Sequence, residues 1–283
     1  MTFRRRLLLL VLPALAAAAA GLLAGCGTAA PADPQGANVT RLTIHSRAVH
    51  RTEHVTVVVP PGQMPRGPRP LLVFLHGRGA DDRTYLADAP LFTALRRLGA
   101  RAPIVAFPDG GDHSYWHDRS DGAWAAYLTG EVIPQVERRF HTDTRRVAIG
   151  GISMGGFGAL DLAERDPGRW CAVGAHSPAL WQQAGETAPG AFDDAQDFAA
   201  HDVIATATTP AGEAALAAQP LWLDAGESDP FLPGDRALVA ALHGAGDPTV
   251  RLDTRPGGHD DGYWSSRWKD YLSFYATALA RCG

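Results

Sequence analysis

Arg146-Val147-Ala148-Ile149-Gly150-Gly151-Ile152-Ser153-Met154-Gly155-Gly156-Phe157 is the stretch on which the fold turns. Arg146-Gly150 is a short apolar run of strand length, and Met154-Arg165 carries a helical pattern. Between them, Gly151-Ile152-Ser153-Met154-Gly155 reads G-x-S-x-G. A serine on so abrupt a strand-to-helix turn projects its hydroxyl beyond the sheet, while the flanking glycines allow the tight turn and the close packing behind it. The same turn sets the Met154 N–H at the start of the helix, where it can face an oxyanion formed at Ser153. A structural glycine-rich turn could share the five letters, but few chance matches sit between a strand and a helix.

Outward from this turn the chain keeps one rhythm. Leu71-Leu75, Ile104-Phe107, Ala172-Ala175, Leu221-Ala225 and Val250-Thr254 are further apolar runs of strand length. The predicted helices are Asp88-Leu98, Gly122-Phe140, Met154-Arg165, Arg236-His243 and Trp264-Ala280, with Pro134 breaking or kinking the second. Strands that are apolar on both faces and separated by helices indicate an α/β class: a mostly parallel central sheet flanked by helices on both faces. Arg41-Ser46 and His54-Pro60, with no helix between them, predict an antiparallel edge pair. One domain from Val39 to the end is the economical reading. The connection from Ser177 to Pro220 is long enough to be a functional cover.

A serine hydroxyl is a poor nucleophile until a histidine takes its proton and a carboxylate orients that histidine. In chain order the acid should follow a later strand and the histidine the last one. Asp229 follows Leu221-Ala225, and His259 follows Val250-Thr254. Of eleven histidines, His259 is the only one between the final strand and the final helix. Glu227 could serve from the same loop as Asp229, whereas Asp224 lies within the strand. Asp229 is the first choice of acid, and its structural alternative is a turn or helix-capping residue ahead of Pro230-Arg236. After Leu71-Leu75 comes His76-Gly77-Arg78-Gly79, a turn placed to offer the second oxyanion N–H, from Arg78 first and Gly79 second.

Taken together, His76-Gly77-Arg78-Gly79, Phe107-Pro108-Asp109-Gly110-Gly111 with Ser114-Tyr115-Trp116, Gly150-Gly151-Ile152-Ser153-Met154-Gly155-Gly156, and Gly257-Gly258-His259 resemble the esterase D-like family of α/β-hydrolases. That family contains S-formylglutathione hydrolases, feruloyl and acetylxylan esterases, enterochelin esterases and mycolyltransferases. The resemblance spans roughly Val39 to Ala280. It implies the α/β-hydrolase fold and acyl transfer through a serine ester, with Ser153 as nucleophile, Asp229 as acid and His259 as base. It also implies Met154 and the residue after Gly77 as oxyanion donors. It carries over no substrate, because members differ in theirs. Hydrolysis of a small or carbohydrate-linked ester is the first expectation and acyl transfer to a sugar the second. A non-catalytic binding lipoprotein that keeps only the fold is the rival of another class.

The remaining candidates are quieter. Asp112, His113, His117 and Asp118 could ligate a metal only if their loop folded back on itself, and their spacing fits no metal fingerprint, so no metal is expected. No phosphate loop or dinucleotide fingerprint is present, and no cofactor is indicated. Trp116, Trp181 and Trp264 could line a pocket, although core packing is the commoner use of tryptophan. Trp268, Tyr271 and Tyr275 form the stripe of a packed final helix.

Arg4, Arg5 and Arg6 precede the apolar run Leu7 to Leu23, which leads into Leu23-Ala24-Gly25-Cys26. This is the anatomy of a bacterial lipoprotein signal over residues 1–25, with lipid attached to Cys26 and a flexible tether over residues 26–38. The expected address is a membrane lipoprotein facing outside the cytoplasm. Loss of the three arginines would take the formal charge from −4 to −7. With 20% charged and 46% hydrophobic residues, the composition excludes disorder, and the acidic balance argues against nucleic acid as a partner. In an exported chain Cys171 and Cys282 could form a disulfide or stay as two buried thiols; the sequence leaves both open.

Overall fold

The computed structural model describes residues 30–62 and 67–282. Residues 1–25 and Cys26 lie outside them. Among the described residues no helix is long and apolar enough to cross a membrane. The compact body begins at Pro31, earlier than Val39. Ala32 donates its N–H to the Leu86 carbonyl at 2.7 Å, and the Gln35 amide reaches Thr93 Oγ1 at 2.8 Å. The end of the expected tether is therefore laid against the domain, because Ala32 and Ala37 have apolar surface to cover.

Among the described residues ten strands form: β1 (Asn38–His45), β2 (Thr52–Val59), β3 (Leu71–Leu75), β4 (Ile104–Pro108), β5 (Asp118–Arg119), β6 (Gly122–Ala123), β7 (Val147–Ile152), β8 (Val173–His176), β9 (Leu221–Gly226) and β10 (Leu252–Arg255). Eight make one sheet in the order β1-β2-β4-β3-β7-β8-β9-β10, and β5 with β6 is a separate small hairpin. Strand β2 runs antiparallel to β1 and β4, and every other pairing of the eight-stranded sheet is parallel. In β3, Leu71, Val73 and Leu75 join one apolar layer, and Leu72 and Phe74 the other. A run apolar at every position is thus a strand covered on both sides.

Helices α1 (Ala89–Leu98) and α9 (Asp261–Arg281) cover one face, where Leu91, Leu95, Trp268, Tyr271 and Tyr275 pack against Phe74 and its neighbours. On the other face lie α3 (Ile133–Phe140), α4 (Met154–Arg165) and α8 (Leu232–Ala245). The stretch predicted as one helix over Gly122-Phe140 is divided. Its first two residues pair as β6, then α2 (Trp124–Ala126) passes through a π-helical turn, Tyr127–Val132, into α3. Pro134 sits in the first turn of α3, and the widened π-helical turn directly precedes it.

The Ser177–Pro220 connection holds three short helices that the sequence pattern did not reveal: α5 (Ala195–Ala200), α6 (Val203–Ala207) and α7 (Pro210–Ala217). Each is too short to show a period, and each is started by a side chain at its N-cap. Asp194 accepts from the N–H groups of Gln196 and Asp197, Asp202 from Ala205, and Thr209 from Gly212. Asp194 and Asp202 thus serve as caps of its first two helices.

Cys171, ahead of β8, is joined to Cys282, at the end of α9, with Cα atoms 5.7 Å apart and 111 residues between them in sequence. That separation is within the reach of a disulfide. Closing so long a loop restricts the unfolded chain, so Cys282→Ser is expected to cost about 2–4 kcal/mol. Thermal unfolding should record this as a drop in Tm of roughly 5–15 °C. An unchanged Tm, together with no response of the wild type to reductant, would remove the bridge.

Candidate active site

Ser153 follows β7 directly and begins α4 with φ 56° and ψ −115°, a left-handed conformation that a side chain rarely adopts. The surroundings fix it. Its N–H donates to the His176 carbonyl at 3.0 Å, and its own carbonyl accepts from Phe157 and Ala179 at 3.0 and 3.1 Å. The glycines on either side are required by close approach. A Cβ on Gly155 would stand 2.2 Å from the Leu75 carbonyl oxygen, and one on Gly151 2.5 Å from the Gly155 carbonyl carbon.

The parallel register brings the ends of β7, β9 and β10 to the same side of the sheet, and the predicted partners converge there. His259 Nε2 lies 2.8 Å from Ser153 Oγ, and His259 Nδ1 lies 2.9 Å from Asp229 Oδ2. The carboxylate calls for the proton on Nδ1, which leaves the Nε2 lone pair to accept from the serine hydroxyl. The Asp229 side chain is fully buried, whereas His259 keeps 19% of its surface exposed. Burial alone would raise the Asp229 pKa. Hydrogen bonds from His259, the Phe231 N–H and Ser177, with the charge His259 acquires, outweigh burial and hold it below the usual carboxylate range. Its ionised form therefore stabilises the fold at neutral pH, and that contribution is lost as pH falls through the depressed value.

The competing acids are placed elsewhere. Glu227 is exposed and meets its surroundings through its N–H, which donates to the Arg255 carbonyl at 2.8 Å. Asp224, inside β9, is buried beneath the site, where it accepts from His176 Nδ1, Tyr263 and Tyr271. At the second turn, the Gly79 N–H is committed to the Asp112 carbonyl at 2.9 Å. The Arg78 N–H has no partner among the described residues. A Cβ built on neighbouring Gly77 would lie 3.4 Å from Ser153 Cβ, so the turn runs directly over the serine.

Sequence reasoning missed Ser177. It follows β8 with φ 48°, accepts from Trp264 Nε1 at 3.0 Å and hydrogen-bonds Asp229. No local pattern marks it, because its role comes from β8 lying between the strands that carry Ser153 and Asp229. The Trp264 ring stands edge-on to His259 at 4.9 Å, and Phe231 packs on the same ring at 5.0 Å. A cleft of about 370 Å³ lined by Leu180, Trp181, Gln182, Glu186, Pro230 and Phe231 lies next to it. A larger one, about 590 Å³, is at the opposite ends of the strands around Pro68, Pro134 and His141, away from Ser153.

Trp116 lines neither cleft. It is fully buried, with Gly110 and Gly158 leaving room for it, and donates its Nε1–H to the His76 carbonyl at 3.3 Å. The loop residues weighed as metal ligands part company. Asp112 is exposed, Asp118 accepts from the Ala126 N–H, and His117 turns inward to Asp197.

A family model described as "Putative esterase" matches residues 46–273. Esterase Rv1288 of Mycobacterium tuberculosis is 28% identical over 233 residues, covering 67% of this chain and 48% of that protein. The chain thus spans about half the length of the curated relatives it matches. Among solved structures, a ferulic acid esterase superposes with a TM-score of 0.76 at 24% identity, covering 86% of this chain and 99% of that one. The S-formylglutathione hydrolase of Agrobacterium tumefaciens gives 0.71 at 19%, covering 88% and 98%. MPT51 of Mycobacterium tuberculosis gives 0.65 at 17%, covering 86% and 99%. The eight-stranded, mostly parallel sheet with helices on both faces is the fold these proteins share, and the match over residues 46–273 places the chain in the esterase family of α/β-hydrolases.

Proposed function

We propose that this chain is an exported serine esterase that hydrolyses a small or carbohydrate-linked carboxylic ester through an acyl-enzyme. The observation that carries the reading is the unbroken relay from Asp229 through His259 to Ser153 Oγ, at 2.9 and 2.8 Å. Ser153 Oγ attacks the ester carbonyl while His259 Nε2 takes its proton, and the oxyanion is held by Met154 and Arg78 N–H. His259 returns the proton to the departing alcohol. A water, deprotonated by His259, then releases the acid and frees Ser153. A fluorophosphonate probe and short-chain p-nitrophenyl esters test this: Ser153 labelling with turnover is expected, and a folded protein showing neither would leave only a binding role.

The cleft of about 370 Å³ supports a compact ester rather than a very long acyl chain. Water and a sugar hydroxyl would both meet the same acyl-enzyme, so the products decide between hydrolysis and transfer. With trehalose or glucose present, free acid is expected as the main product by mass. Dominant sugar ester would move the assignment to an acyltransferase and leave Ser153, Asp229 and His259 in their roles.

Export and lipidation at Cys26 belong to the same reading and rest on the Arg4-Arg5-Arg6, apolar and Leu23-Ala24-Gly25-Cys26 order. Metabolic labelling with a fatty acid is expected to mark the wild type and not Cys26→Ala. Label retained in the variant, or missing from both, would refute the anchor.

A further inference from the structure

We propose that His117, Asp197 and His201 form a site for one divalent cation of the Zn²⁺ type, which pins the Ser177–Pro220 cover to the loop after β4. One ligand atom from each residue can be chosen so that all three lie within 4.8 Å of one another. Ligands about 2.0–2.2 Å from a tetrahedral ion stand roughly 3.3–3.6 Å apart, so a small closure of side chains completes the set. His117 is fully buried, and Asp197 and His201 keep 15% and 11% of their side-chain surface, which leaves room for water as a fourth ligand.

The cluster gathers three ligating side chains and leaves one buried ring nitrogen, His117 Nδ1, without a partner. Asp161, on α4, holds both carboxylate oxygens 3.0 Å from His201 Nδ1, and Arg165 Nη2 lies 2.9 Å from the same nitrogen. His201 Nε2 faces the Asp197 carboxylate at 3.7 Å. The His201 ring lies 4.2 Å from that of His117. His117 Nε2 is 3.1 Å from Asp197 Oδ2, while its Nδ1 is buried with no partner. Arg165 also faces the cluster: its Nε donates to Asp161 at 2.9 and 3.0 Å, and its Nη2 reaches the Ala200 carbonyl and His201 Nδ1.

A cation between Asp197 and the rings would accept the lone pair of His201 and offset the carboxylate. Asp161 would then be the carboxylate that orients a ligating histidine from behind. Two imidazoles and one carboxylate suit Zn²⁺, Co²⁺ or Ni²⁺ better than Ca²⁺ or Mg²⁺. The consequence reaches the substrate cleft by packing. His117 stacks on Phe192 at 5.2 Å, Phe192 meets Trp181 at 6.0 Å, and Trp181 meets Phe231 beside His259 at 5.5 Å. The loop spacing gave no hint of this, because His117 finds its partners 80 or more residues away.

The test uses chelator-treated full-length protein titrated with Zn²⁺ against a competing chelator, and with Co²⁺ followed by its visible tetrahedral absorption. One equivalent is expected, with Tm raised by roughly 5–10 °C at a hundredfold excess over Kd. Ser153→Ala should bind as the wild type does, which separates the result from any question of activity. The double variant Asp197→Asn, His201→Gln, with folding checked by circular dichroism, should lose the equivalent and the Tm shift. No stoichiometric uptake by the wild type overturns the proposal without recourse to any variant. Uptake undiminished in the folded double variant would mean adventitious binding elsewhere and overturns it equally.

Discussion

Ser153→Ala is expected to lower kcat by about 10⁶-fold on a p-nitrophenyl ester, equivalent to ~8 kcal/mol of lost transition-state stabilisation. The size follows from the relay. Without Oγ no acyl-enzyme forms, and His259 Nε2 loses the hydroxyl it faces at 2.8 Å. Residual catalysis of about 10³–10⁴-fold over water should survive, because the Met154 and Arg78 N–H groups do not depend on the serine hydroxyl. The fold should be unaffected, since the backbone at residue 153 is held by its N–H and carbonyl partners and not by Oγ. A variant that is folded by circular dichroism yet hydrolyses within tenfold of the wild type would exclude Ser153 as nucleophile.

Asp229→Asn should come next, with kcat reduced by about 10⁴-fold, because an amide can donate to His259 Nδ1 and so favours the tautomer that cannot accept the serine proton. The Phe231 and Ser177 contacts allow the asparagine to sit where the carboxylate does, so the loss should appear in kcat more than in KM. Glu227→Gln is expected to stay within a few-fold of the wild type, since that side chain is exposed and away from His259. The reverse ranking would transfer the role of acid to Glu227.

The reading of the loop after β9 shows where sequence reasoning reaches its end. Glu227 and Asp229 are two residues apart, equally acidic, and both follow the strand that the chain order demands. Which of them meets His259 depends on the turn that buries Asp229 against the Phe231 N–H and sends Glu227 to solvent. Which N–H of the second turn is left unpaired, Arg78 rather than Gly79, is of the same kind, set by the hydrogen bond from Gly79 to Asp112 across the loops.

What the sequence determined by itself was local: the strand, turn and helix around Ser153, the alternation that makes a parallel sheet, and the order of Ser153, Asp229 and His259 along it. These are legible because burial on both faces leaves continuous apolar runs, and because a turn as tight as Gly151-Ile152-Ser153-Met154-Gly155 admits few residues. Tertiary structure alone decided the support of Asp229 by Ser177, the three capped helices of the cover, the joining of Cys171 to Cys282, and the meeting of His117 with Asp197 and His201. The capped helices are too short to show a period. The other three join residues 52 to 111 positions apart, whose proximity is set by how whole elements pack, and no periodicity or spacing along the chain records that.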